Sequence, residues 1–177
     1  MAKKLALCGV FTALALIIYV VELSFPPVFN LPGVKIGFSN IITSVMLFMN
    51  VRTMGHFAPH EQNPVFSAFE VFAVMILRVC LGCVFAGRLS SLLPGLCGGV
   101  LALALGCVMR RRFSCVVTGV CSGAVHNAGQ IFAVAFVYNL RSAVLYLPVL
   151  LVCGGLCGLV TGFVAMLTVR RLSCFKL

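Results

Sequence analysis

His126, Asn127 and Gln130 stand in the middle of an otherwise apolar run, Val116 to Val137. On a helix they share a stripe about 100° wide. Imidazole and amide groups donate and accept hydrogen bonds, so this stripe suits recognition of a polar ligand, or glue between helices. Three such residues beside Gly123 and Gly129 point to the wall of a cavity. Arg78 lies near the centre of a second run, Val65 to Gly87. A lone arginine at that depth is unfavourable by roughly 2.5 to 3.5 kcal/mol on translocon scales. It needs an internal ion pair with Glu22 or Glu70, or it serves as an anion receptor gripping a carboxylate or phosphate bidentately. Glu70 sits two turns away on the same helix and about 80° around it, so spacing does not pair the two directly.

Pro32 to Asn40 brings a second cation, Lys35, and an amide, Asn40, to the outer end of another apolar run. Lys35 either snorkels to headgroups or faces the ligand. Asn40, Thr43 and Ser44 share one helical face, and Gly37 allows close approach of the backbone. The expected ligand-binding set is Lys35, Asn40, Arg78, His126, Asn127 and Gln130.

Other chemistry is excluded or disfavoured. His126 as a general base would require a paired acid or a metal that the sequence does not show. His56, His60 and Glu61 form H-x-x-x-H-E, but Pro59 interrupts the helix that would align them, so a solvated loop is expected and no metal. Cys80 and Cys83 form a lone C-x-x-C without a second pair or a nearby histidine, and the ten cysteines are read as small packing residues within spans. No cofactor motif and no nucleotide-binding Walker motif is present.

These residues need a membrane to make sense. The chain of 177 residues is 62% hydrophobic and 9% charged, with a mean hydropathy of +1.19. A soluble domain of that length cannot hide so much apolar surface. Six spans are expected, at about 5–24, 36–51, 65–87, 89–109, 115–137 and 143–169, in an all-α bundle forming a single domain over 1–177. The second is short, the boundary near Gly87 to Pro94 is the least defined, and Pro26, Pro27 and Pro32 mark a stiff outer lid. Lys3 and Lys4 open a first span that is expected to be retained, since no cleavage site follows.

The net charge of +10 does not indicate nucleic acid, because no basic stripe interleaves with aromatics. With an inner N-terminus, Lys3, Lys4, Arg52, Arg110, Arg111, Arg112, Arg170, Arg171 and Lys176 fall on the cytoplasmic side. Lys35, Arg88 and Arg141 fall outside. That bias places both termini in the cytoplasm and the protein in the cytoplasmic (inner) membrane as a multi-pass protein.

Small residues at helical spacing mark close helix approach. Gly154, Gly158 and Gly162 form such a ridge on the last span, and Gly119 and Gly123 form one on the fifth. Internal packing is expected for both. Ala2, Ala6, Gly9 and Ala13 on the first span form pairs that either pack internally or dock a partner protein.

Several segments resemble the Gx transporter family, also labelled heptaprenyl diphosphate synthase component I and related to substrate-binding S components of energy-coupling factor (ECF) transporters. They are Pro32-Gly33-Val34-Lys35-Ile36-Gly37-Phe38-Ser39-Asn40-Ile41, Leu77-Arg78-Val79 with Gly82, Ala124-Val125-His126-Asn127-Ala128-Gly129-Gln130, and Tyr146-Leu147-Pro148. The resemblance implies an S-component-like six-helix bundle, an outward pocket and a lid from the first outer loop. It also implies docking of the first helix, through Ala2, Ala6, Gly9 and Ala13, on a transmembrane coupling subunit driven by two ATPases. The loop from Thr53 to Pro64 departs from the pattern in being longer.

A synthase label raises a chemical objection to catalysis. Prenyl diphosphate synthesis holds magnesium with clustered carboxylates. This chain has no aspartate and only Glu22, Glu61 and Glu70. The expectation is a non-enzymatic uptake subunit binding a small anionic ligand. The alternative is a non-catalytic membrane subunit of isoprenoid or quinone metabolism, or of a flavin-linked electron-transfer system.

Overall fold

A computed structural model describes residues 2–24, 37–49, 66–137, 139 and 141–174. Among the described residues every regular element is helical. They are α1 (Ala2–Ser24), α2 (Asn40–Met49), α3 (Ala68–Phe85), α4 (Leu92–Met109), α5 (Cys115–Val137) and α6 (Leu147–Cys174). Short 3-10 turns, Leu89–Ser91 and Arg141–Tyr146, precede α4 and α6. Lys35, the proline-rich outer segment, and the 53–64 loop with His56, His60 and Glu61 lie outside the described residues.

Five of these helices are long and apolar enough to cross a membrane. Their outer faces carry large apolar side chains, with Phe69 76%, Phe136 80% and Leu145 81% exposed. Buried polar groups and an exposed apolar shell are the reverse of a water-soluble domain, and lipid is the solvent that this pattern fits. The chain is a multi-pass membrane protein.

The second expected span, 36–51, already the shortest, is described as a helix over Asn40–Met49. As described, α2 has 10 residues, about 15 Å at the helical rise and roughly half the hydrocarbon thickness. It is the central element, touching each of the other five helices. Ile42, Val45, Met46, Leu47 and Phe48 are all buried. Gly37, just before its start, lies beside His126, midway along α5, and Arg110 Nη1 reaches the Leu47 carbonyl at 3.5 Å near its other end.

Local signals set the ends of α3. Ser67 and Glu70 form a capping box: Ser67 Oγ accepts from the Glu70 amide at 3.2 Å, and Glu70 Oε2 accepts from the Ser67 amide at 2.7 Å. Glu70 is therefore engaged at the helix start, which removes it as a partner for Arg78. The far end closes at Gly87, whose φ of +62° suits glycine. There the Arg88 amide donates to the Cys83 carbonyl at 3.0 Å and the Gly87 amide to that of Val84 at 3.1 Å. This turn settles the boundary that sequence left open, and Pro94 falls in the first turn of α4, where its missing N–H is tolerated.

The tightest seam joins α5 to α6. A Cβ on Gly154 would come within 2.6 Å of the Gly123 carbonyl oxygen, and one on Gly119 within 2.8 Å of Gly162 Cα. The two glycine ridges thus face one another, backbone against backbone, as expected of internal packing.

Candidate functional site

The start of α2 is held from two sides. Arg78, on α3, is 3% exposed. Its Nη1 donates to Ser39 Oγ at 2.9 Å and its Nη2 to Asn40 Oδ1 at 3.0 Å. From α1, the buried Glu22 carboxylate accepts the Gly37 amide on Oε1 and the Ser39 amide on Oε2, the latter at 3.4 Å. Ser39 therefore sits between the acid and the guanidinium, bonded to both. Of the two internal partners weighed for Arg78, Glu22 is the one nearby, and it acts through Ser39 rather than by direct contact. Arg78 Nε has no hydrogen-bond partner among the described residues.

Gly37 links this clamp to α5. Its φ of +88° lies in the left-handed region, which a side chain would strain. A Cβ there would also fall 3.0 Å from Asn40 Nδ2 and 3.3 Å from His126 Cδ2. His126 in turn pairs with Gln130, Nε2 to Nε2, at 3.0 Å. Gly98 on α4 makes room for both: a Cβ there would meet the His126 backbone oxygen at 2.6 Å and Gln130 Cγ at 3.0 Å.

Of the expected set, Asn40 and Arg78 touch directly, and His126 with Gln130 lies across Gly37 from them. Asn127 does not join them. Its Nδ2 donates to the Leu150 carbonyl on α6 at 2.9 Å, and a Cβ on Gly154 would come within 2.8 Å of that nitrogen. The polar stripe read from sequence is therefore divided. One row, Gly119, Gly123 and Asn127, faces α6; the other, Thr118, Ser122, His126 and Gln130, faces the interior of the bundle.

Below Asn40 lies a narrow cavity between α2, α4, α5 and α6, with about 40 Å³ of room for water-sized molecules. Asn40, Thr43 and Ser44 line it together, as their shared helical face implied. Thr118, Ser122 and Thr161 line it from α5 and α6, and sequence reasoning missed them. A signal was present: Thr118 and Ser122 continue the His126–Gln130 row at steps of four. Among the described residues no group of three or more His, Cys, Asp or Glu side chains could hold a metal.

At the other side of the bundle, Ala2, Ala6, Gly9 and Ala13 are all exposed. A Cβ on Gly9 would meet nothing within 4 Å. These small residues present an exposed face of α1 among the described residues.

A family model described as heptaprenyl diphosphate synthase component I matches residues 11–56 and 64–168. The chain belongs to this family. Glu22, Ser39, Asn40, Arg78, His126 and Gln130 all fall within the heptaprenyl diphosphate synthase component I match, as do all the cavity-lining residues. The unmatched stretch 57–63 falls inside the loop set apart in the sequence as unusually long, and Ala2, Ala6 and Gly9 precede the match. No curated protein and no solved structure matches the chain.

Proposed function

We propose that this protein is the membrane-embedded, substrate-binding subunit of an ECF-type uptake transporter, taking a small anionic ligand and carrying out no catalysis itself. The observation that supports this most is the buried polar set Arg78, Ser39, Asn40, Gly37, His126 and Gln130, placed at mid-depth and continuous with a hydroxyl-lined cavity. Structural glue alone would not require an arginine, since an interhelical hydrogen bond between neutral groups suffices. The ligand's acidic group replaces Ser39 or Asn40 on the guanidinium fork, with Arg78 Nε as a further donor. Lys35 contributes a second cation, and Asn127 steadies α5 against α6. The exposed small-residue face of α1, Ala2, Ala6, Gly9 and Ala13, is the docking surface for the coupling subunit, with ATPases supplying the energy. The arginine-rich ends lie in the cytoplasm, and the bundle resides in the cytoplasmic membrane.

The test is to purify the protein in detergent and identify by mass spectrometry what co-purifies with it. Binding is then measured again with Arg78→Lys, which keeps the charge but loses the fork. A weakening of about tenfold or more is expected, since charged hydrogen bonds contribute about 1.5–3 kcal/mol. Unchanged affinity would remove Arg78 from the site.

The family's description favours a second reading, a non-catalytic membrane component of isoprenoid synthesis. Affinity capture separates the two. A coupling subunit with ATPases supports transport, whereas a soluble prenyl synthase supports the second reading.

A further inference from the structure

The cavity below Asn40 has a chemistry of its own. A Ser or Thr inside a helix commonly returns its hydroxyl to a carbonyl three or four residues earlier. Thr12 donates to the Cys8 carbonyl at 2.8 Å, Thr161 to that of Gly158 at 3.1 Å and Thr168 to that of Val164 at 2.8 Å. Thr118 and Ser122 do not. Thr118 is only 2% exposed, and neither its Oγ1 nor Ser122 Oγ has a hydrogen-bond partner among the described residues. Both residues line the cavity, opposite Thr43 and Ser44 on α2. Two buried hydroxyls withheld from their own helix need a polar group between the helices, because an unsatisfied buried donor is costly.

The walls also specify what kind of group. Among the described residues no acidic or basic side chain lines the cavity, so neither a bare cation nor a bare anion finds a countercharge among them. A hard cation further requires six or more oxygen ligands, commonly carboxylates and free carbonyls, whereas the lining residues lie almost wholly in helices whose carbonyls are engaged along the backbone. The space suits a few waters, or one small neutral group.

We propose that this cavity is a subsite for an uncharged hydroxyl or carboxamide group, held by Thr118 and Ser122 with Thr43 and Ser44. Resting on the binding-subunit reading, it makes the ligand two-ended: an acidic group at Arg78 and a neutral hydrogen-bonding group one to two helical turns away, toward the Arg110 end of the bundle.

The experiment follows the unfolding temperature of the detergent-purified full chain during titration with acetamide, sodium phosphate, sodium chloride or choline chloride. The chains compared are wild type, Thr118→Val with Ser122→Ala, Thr118→Ser, Arg78→Lys, and Thr168→Val as an exposed-hydroxyl control. Acetamide should stabilise the wild type, Thr118→Ser and the control in a saturable manner, whereas Arg78→Lys should weaken the phosphate response. The half-saturating acetamide concentration should rise roughly two- to tenfold for each hydroxyl removed. Should the double variant fail to purify, single Thr118→Val read against Thr118→Ser carries the same comparison. The subsite is overturned by the absence of a saturable acetamide response in the wild type, or by an equal response without the hydroxyls. It is equally overturned by a response to sodium but not choline that the hydroxyl variants lose. Phosphate reports on the parent reading separately. An acetamide response without a phosphate response keeps the subsite and removes the anion site; the reverse removes the subsite alone.

Discussion

Two sets of small residues with the same spacing have opposite fates. Gly119 and Gly123 on α5 meet Gly154, Gly158 and Gly162 on α6 so closely that backbone touches backbone. Ala2, Ala6, Gly9 and Ala13 on α1 stand exposed, and a Cβ on Gly9 would meet nothing within 4 Å. In lipid, apolar side chains gain little by leaving the solvent, so helices associate through close van der Waals fit and polar contacts. A small-residue ridge stabilises a bundle only where a complementary ridge opposes it. The α5–α6 seam has that complement and adds the Asn127 amide on the Leu150 carbonyl. The α1 face offers the same geometry outward.

The comparison predicts a graded set of effects. The largest belongs to the seam: Gly123→Leu should abolish accumulation of a monodisperse protein in detergent, because the side chain would displace the α6 backbone. Overpacking alone costs about 1–3 kcal/mol where neighbours can adjust, and backbone cannot. A normal size-exclusion profile for this variant would break the argument. Next comes the other anchor of the bundle. Arg78→Ala removes two charged hydrogen bonds and leaves Glu22 without the nearby cation, a loss of about 3 kcal/mol. Thermal unfolding would show it, and Ser39→Ala combined with Arg78→Ala should be less than additive because Ser39 lies between the charges. Asn127→Ala should cost about 1 kcal/mol, the usual scale of an interhelical hydrogen bond in lipid, as a small shift of the same transition. The smallest effect should be Gly9→Leu, neutral or slightly stabilising because leucine is the better helix former by somewhat under 1 kcal/mol. A marked loss of stability there would mean that the α1 face packs within the bundle. Loss of partner capture at unchanged stability is the outcome the docking proposal predicts.

Much of the fold was legible in the chain because each signal is local. Apolar runs of spanning length and glycines at steps of four each carry their meaning in a short window. The division of His126, Gln130 and Asn127 between two faces was not legible. Their positions around one helix are computable, but which neighbour each position meets depends on how α4 and α6 pack. Thr118 and Ser122 were missed for a related reason. Hydroxyls in membrane helices usually bond their own backbone, and only the cavity reveals that these two do not.

Composition and uninterrupted apolar runs of spanning length together established a helical membrane protein, since so apolar a chain without lipid would expose an untenable surface. Sequence also named Arg78 as a residue in need of a partner, with Glu22 among the candidates. Tertiary structure decided that Ser39 stands between them and that Glu70 is engaged in a cap. It also decided that α2 is central, touching every other helix, and that one glycine ridge is buried while the other small-residue face is exposed. The physical reason is range: burial and helix propensity act within a turn or two of the chain, whereas charge satisfaction and backbone contact depend on residues tens of positions apart.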